Sequence, residues 1–307
     1  MMSVDLSGLL TDLDDSVQDE LSSTPTVIHK GDDLNVEDLP IIVRKWYKLD
    51  DVVAVVADLK NSTKLGTNKW AASTASIYQA STGGVVKIFN QFEADFLAIQ
   101  GDGAFALFWG ESRYERALCA GITIKTFSRD MVGRLEAKWP DNLPETGLKV
   151  GVANSRLLAK RVGTPRNPAQ QEPVWAGKAV NYAAKAAQQA DRGELIVTGS
   201  VWDEVEKNDY LAVSCPCQQP SLGIWADIEI DRLPEGDPEA QGRVLSADWC
   251  VIHGAEYCSS VLSGERHRED VKELRTALQR SQMLTAIRSK AQEERKSQRA
   301  RHQGLTS

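Results

Sequence analysis

The sequence predicts an α/β or α+β sandwich in which helices cross over between strands. Three observations carry that expectation. Residues 51–57 (DVVAVVA) form a short Val-rich apolar run, the pattern of a strand buried on both faces. Residues 95–109 (DFLAIQGDGAFALFW) read as strand, tight turn and strand, with Asp102-Gly103 as the turn signal. Residues 113–139 carry apolar side chains at Ala117, Ala120, Ile124, Phe127 and Met131, a helical spacing.

In chain order, residues 1–45 form an acidic lead segment of short apolar pieces among Asp, Ser, Thr and Pro, expected to be poorly ordered or loosely docked. The first strand ends at Asp58. The Asn61-Ser62-Thr63 stretch then supplies an N-cap signal for a helix over 64–90, which Gly83-Gly84 is expected to split in two. After the 95–109 hairpin and the 113–139 helix, Pro140 and Pro144 act as stops. Residues 147–163 read as two strands or a hairpin, and 164–173 as a Pro-rich polar loop. Residues 177–191 form an Ala-rich helix, 194–198 a short strand and 200–207 a short helix. These elements place one domain over 46–213. A Cys-, Pro-, Gly- and Trp-rich extension follows over 214–263, then a basic amphipathic helix and tail over 264–307.

Composition narrows the function classes. The chain has 307 residues, 42% hydrophobic and 26% charged, which excludes a fibrous or wholly disordered protein. No apolar run is long enough for a bilayer and the start lacks a signal-peptide pattern, so a cytoplasmic protein with no membrane partner is expected. The net charge is −7, with −9 in residues 1–40 and +5 in residues 264–307. An acidic chain argues against a stable nucleic-acid partner, and the basic tail reads as a solvated helix face. The odd count of 5 cysteines argues against a disulfide framework.

Two carboxylates stand out. Asp58 closes one apolar strand and Asp102 sits in the turn of a hairpin of apolar strands. Singly, the first reads as a helix cap and the second as a turn former. On neighbouring strands they would share one sheet edge, where two close carboxylates call for a cation. Oxygen ligands without His or Cys favour Mg²⁺ or Mn²⁺.

The segment Asp58-Leu59-Lys60-Asn61-Ser62-Thr63 resembles the first metal motif of class III nucleotide cyclases. Gly101-Asp102-Gly103, followed by Phe105 and Phe108, resembles their second. Val180-Asn181-Tyr182-Ala183-Ala184-Lys185 resembles their ribose-binding helix, and the order and spacing match over about residues 48–210. The resemblance implies a ferredoxin-like palm and a head-to-tail homodimer with active sites at the subunit interface. It implies two metal ions bridged by Asp58 and Asp102, with the backbone carbonyl of Leu59 completing the shell of one. Backbone N–H groups of Asn61, Ser62 and Thr63 would hold a triphosphate. Asn181 would orient the ribose. Lys185 stands where the family has a transition-state Arg, keeping the charge without the bidentate fork.

Purine cyclases read their base with polar side chains at two positions, which here are Phe96 and Val174. Neither makes the hydrogen bonds of a purine edge. That combination resembles the pyrimidine cyclases of the bacterial Pycsar anti-phage system. The resemblance implies UTP as substrate, with CTP as the alternative, and a cyclic nucleotide that acts on a separate effector. Tyr47 reads equally as a base contact or as an aromatic anchor. In the extension, Cys215, Cys217, Cys250 and either His253 or Cys258 have the composition of a structural Zn²⁺ site. Their alternative is a set of reduced, partly buried thiols.

Overall fold

The computed structural model describes residues 3–41, 44–67, 70–141, 143–217, 219–277 and 280. In chain order the elements are α1 (Leu6–Leu21), β1 (Thr26–His29), β2 (Lys45–Leu59), α2 (Ala71–Gln91), β3 (Phe96–Gln100) and β4 (Gly103–Phe108). Then come α3 (Arg113–Lys138), β5 (Leu148–Gly163), β6 (Gln171–Gly177), α4 (Lys178–Gln189), β7 (Leu195–Val197), α5 (Gly199–Val205) and α6 (Asp209–Ala212). The extension supplies β8 (Trp225–Glu229), β9 (Gln241–Leu245) and α7 (Gly254–Leu262).

The strands form one mixed sheet in the order β3-β4-β2-β5-β7-β9-β8, with β1 parallel to β2 and β6 antiparallel to β5. β2 lies at the centre because its Val-rich run is apolar on both faces. Val53, Val55, Ala57 and Leu59 pack under α2 and α3, while Val52 and Ala54 pack under α4. The α+β palm expected from the sequence is the observed fold.

Several local expectations are corrected. The stretch after Asn61 does not run straight into a long helix: Ser62–Lys64 is a single 3-10 turn, and α2 starts only at Ala71. Gly66 and Thr67, which follow the turn, are weak helix formers. Gly83-Gly84 does not split α2. A Cβ on Gly84 would meet the Phe127 ring at 2.4 Å, so the missing side chain admits an aromatic from α3. Residues 147–163 are one strand, not a hairpin. Its polar centre is consumed by partners: Asn154 Nδ2 donates to the Tyr114 hydroxyl (2.7 Å), and Ser155 Oγ accepts from the Ala179 N–H (2.8 Å). The polar loop after it turns back at residues 168–170 and returns as β6.

The lead segment has two parts. No residue of α1 is buried, whereas β1 is zipped onto β2 from Thr26↔Lys45 to His29↔Lys48. At the other end of the chain, β9 pairs with β7, so the sheet continues through residue 213 into the extension. Trp225, Leu245 and Val261 belong to the same buried cluster as α2 and α3. Lys125, buried on α3, donates to Asp248 Oδ1 (2.8 Å) and the Ser246 carbonyl (3.0 Å), fastening the segment after β9 to the palm. Most of the amphipathic helix expected over 265–302 lies outside the described residues.

The tightest approach between layers is α4 on β5. A Cβ on Gly151 would meet the Ala183 carbonyl oxygen at 2.0 Å and the Ala187 nitrogen at 2.4 Å, both backbone atoms of α4. Ala179, Ala183, Ala186 and Ala187 form the buried stripe that allows it. Gly151→Ala should therefore lower unfolding stability by about 1–3 kcal/mol, the usual cost of overpacking. Urea titration of the variant checks this, and an unmoved midpoint would contradict the close seating.

Candidate active site

The site is built where β2 ends beside the β3–β4 hairpin. By the alternation of β2, Asp58 projects on the α4 face of the sheet, following Ala54 and Val56. Lys149 stands opposite it on β5, and its Nζ lies 2.8 Å from Asp58 Oδ2. The sheet thus supplies one positive charge to this carboxylate. The N–H of Lys60 donates to the Gly147 carbonyl (2.9 Å). Hydrogen bonds alternate along an antiparallel ladder, so the Leu59 carbonyl points the other way, toward β4 and its turn.

That turn carries Asp102. Gln100 pairs with Gly103, leaving Gly101-Asp102 as a two-residue loop, one position earlier than the Asp102-Gly103 turn read from sequence. Gly101 holds φ +63°, the left-handed conformation required of the first loop residue. The Thr82 hydroxyl of α2 donates to the Asp102 carbonyl (3.2 Å). A Cβ on Gly103 would meet the Ala57 carbonyl oxygen at 2.5 Å, so glycine lets the hairpin close onto β2 next to Asp58. Asp58, the Leu59 carbonyl and Asp102 thus gather at one end of two adjacent strands.

Asn61, Ser62 and Thr63 follow directly. Asn61 takes the left-handed conformation (φ 57°), and its Nδ2 donates to the Glu145 carbonyl (2.7 Å). The Thr146 hydroxyl donates to the Lys60 carbonyl (2.8 Å). Lys60 reaches Asp191 and, at 3.0 Å, Glu145; these two partners raise its pKa. The bonds that close the 3-10 turn use the N–H groups of Lys64 and Leu65. The N–H groups of Asn61–Thr63 are those that any helical first turn leaves unspent.

Asn181 and Lys185 lie on the face of α4 opposite its alanine stripe. Asn181 is exposed and Lys185 half-buried, with its Nζ 5.9 Å from the centroid of the Tyr182 ring. Asn181 belongs to the first turns of α4, beside Ser155. Asp58 pairs with Lys149, six residues earlier on β5 and so roughly 20 Å away along the strand. Lys185, between Ala183 and Ala187, lies level with Gly151, two positions from Lys149, and so nearer to Asp58 along the strand, on the outer face of the helix.

The residues expected at the base are also spread out. Tyr47 sits on β2 between Ile28 and Ala159, with the Lys30 ammonium 4.6 Å from its ring centroid. It lies at the opposite end of β2 from Asp58, roughly 35 Å away at about 3.3 Å per residue. Phe96 packs on Trp175 (4.9 Å between centroids) and Phe105 (5.8 Å), and Trp175 on Trp109 (5.7 Å). Val174 precedes Trp175 on β6 and so faces the other way. Sequence reasoning missed this aromatic cluster. The signal was the alternation along β6, which pairs Phe96 with Trp175 rather than with Val174.

In the extension, Cys215, Cys217, Cys250 and His253 come together. Cys258, an alternative fourth ligand from sequence, does not join them. It packs against the buried cluster that contains Cys119 of α3, and the neighbouring Cys258 thiol together with burial holds the Cys119 thiol well above the usual range.

A central mixed sheet with two helices on one face and one on the other, and a carboxylate hairpin beside a second carboxylate strand, is the palm of class III nucleotide cyclases. The adenylyl cyclase CyaB from P. aeruginosa shares this fold, with a TM-score of 0.51 over 66% of this chain and 95% of that one, at 13% identity. No protein-family model matches the chain. Its sequence is 59% identical over 306 residues to a uridylate cyclase from Micromonospora echinofusca, covering 99% of this chain and 100% of that one. It is 48% identical to a uridylate cyclase from Propioniciclava tarda over 93% of both chains. The chain belongs to the uridylate cyclase family.

The position of α4 is also set by charge. Asp237 accepts from the Tyr182 hydroxyl (2.6 Å) and pairs with Lys178 Nζ (2.9 Å), which together bring its pKa down to about 2 from 3.8. A depressed carboxylate stabilises the fold above its unfolded pKa, and that stability is lost as pH falls through the folded one. Asp237→Asn should therefore flatten the loss of stability between pH 3.8 and about 2. Acid titration followed by circular dichroism checks this, and an unchanged acid limb would remove Asp237 from the anchoring of α4.

Proposed function

We propose that this chain converts UTP to 3′,5′-cyclic UMP and pyrophosphate. The single observation that carries the proposal is the convergence of Asp58, the Leu59 carbonyl and Asp102 at one strand end, in a chain related over its whole length to uridylate cyclases. In the reaction the ribose 3′ oxygen loses its proton and attacks the α-phosphorus. The bond from that phosphorus to the β-phosphate oxygen breaks, and pyrophosphate leaves with the electron pair.

The donor set fits a hard divalent cation: it is all oxygen, two carboxylates and a carbonyl, with no His or Cys among them. Mg²⁺ or Mn²⁺ held there would neutralise phosphate charge and acidify the ribose hydroxyl. The chain's own groups do the rest. The N–H groups of Asn61, Ser62 and Thr63 hold the triphosphate, with Lys149 adding charge from the neighbouring strand. Asn181 aims the ribose, and Lys185 faces the charge that develops on the phosphoryl oxygens. Asn181 and Lys185 serve the site of a second copy in a head-to-tail homodimer, which their place on the outer face of α4, turned away from the sheet that carries Asp58, supports. Phe96 and Val174 leave the purine-reading positions apolar, and the stacked surface around Trp175 suits a single-ring base. By resemblance to Pycsar cyclases, the product is a cytoplasmic messenger that drives a separate effector during phage infection. No described helix is long and apolar enough to cross a membrane.

The test incubates the purified chain with Mn²⁺ and each ribonucleoside triphosphate and resolves the products by chromatography. Cyclic UMP should dominate, and Asp102→Asn should lower its formation by at least about a hundredfold. Cyclic AMP or cyclic GMP formed as fast as cyclic UMP would overturn the pyrimidine reading. An Asp102→Asn enzyme at near-normal rate would overturn the site.

A further inference from the structure

The cluster in the extension has no part in nucleotide chemistry, and its geometry has a meaning of its own. Cys215 and Cys217 lie in the loop after α6. Cys250 and His253 lie between β9 and α7, with His253 immediately before that helix. His253 Nδ1 is 3.3 Å from Cys217 Sγ, 3.6 Å from Cys215 Sγ and 3.8 Å from Cys250 Sγ. Cys250 Sγ and Cys217 Sγ are 3.8 Å apart, and all four ligand atoms lie within 4.8 Å of one another.

These are the edges of a tetrahedron. Metal–sulfur bonds of about 2.3 Å and a metal–nitrogen bond of about 2.0 Å place ligand atoms roughly 3.5–3.8 Å apart. A disulfide would need about 2.05 Å, and all five cysteines are free thiols. One sulfur is further oriented by backbone. The Cys217 N–H donates to Cys215 Sγ (3.3 Å). The His253 ring stacks on Tyr257, with centroids 5.9 Å apart. Such supporting contacts hold ligands in place before a metal arrives.

We propose that Cys215, Cys217, Cys250 and His253 bind one structural Zn²⁺ in a closed Cys₃His site, with Cys258 outside the set. Three soft thiolates and an imidazole in tetrahedral array select zinc over the hard cations suited to Asp58 and Asp102. Four protein ligands fill the coordination sphere, so the ion is structural. It pins the loop after α6 to the start of α7, adding to the packing of Tyr210 on Tyr257 (5.3 Å between centroids). This inference is independent of the nucleotide that the palm uses.

The experiment measures metal in the full-length chain, purified without chelator from zinc-supplemented cells, by plasma mass spectrometry. About one zinc per chain is expected. Cys217→Ser should lose it, while Cys258→Ser should keep it. Cobalt exchanged into the wild-type chain should show thiolate-to-metal charge-transfer bands and the intense visible absorption of a tetrahedral ion. Chelation should lower Tm by several degrees. A wild-type chain without zinc, or with a Cys217–Cys250 disulfide, would overturn the site. Loss of zinc from Cys258→Ser but not from Cys217→Ser would overturn the ligand set.

Discussion

The seating of α4 on Gly151 governs much of what this molecule can do. Backbone lies almost directly on backbone there, and only glycine below and alanine above permit it. That contact requires the small-residue stripe of α4 to face the sheet. Its polar stripe, with Asn181 and Lys185, must then face outward. Asp58 projects on the same side of the sheet, next to Lys149 and two residues beyond Val56, the partner of Gly151. The body of the helix therefore stands between the carboxylate on the sheet and this outer polar stripe. Asp237, drawing on both Tyr182 and Lys178, fixes the rotation of α4 about its own axis.

A second constraint acts at the bulge in β2, where the register shifts between Leu49 and Val52. The extra residue reverses which side chains face which layer, so Leu49 packs with the α4 cluster while Asp51 turns to the α3 side. Asp51 accepts from Arg113 Nε (2.9 Å) and from the Tyr114 hydroxyl (3.0 Å), and Asn154 joins the same group. Burial and the Asp51 charge push the Tyr114 phenol up out of its ordinary range, which keeps it a hydrogen-bond donor. This network locks the start of α3 to the middle of the sheet and leaves the other end of β2 free for the site.

The palm was legible in the sequence because each of its signals is local: a Val-rich run, a turn between apolar strands, a helical spacing, an alanine-rich helix. The two carboxylates were legible for the same reason, since each closes an apolar strand. What escaped sequence reasoning depends on contacts between distant residues. Gly84 reads as a helix breaker until Phe127 is seen to fill its place. The stretch 147–163 reads as two strands or a hairpin until the partners of Asn154 and Ser155 on α3 and α4 are seen. The aromatic group of Phe96, Phe105, Trp109 and Trp175 comes from four separate segments. The fourth member of the cysteine cluster was open between His253 and Cys258 because spacing alone cannot say that α7 carries Cys258 away toward Cys119.

The central claim is that one chain holds the carboxylates, and a second copy supplies the ribose-orienting Asn181 and Lys185. Subunit complementation tests it most directly. An Asp58→Ala chain and an Asn181→Ala chain, each inactive alone, are mixed under conditions where subunit exchange is verified by mass spectrometry. The account predicts recovery of part of the wild-type cyclisation, because a mixed dimer contains one site free of both lesions. No recovery despite verified exchange would mean that each chain builds its whole site alone, and the split described above would be wrong.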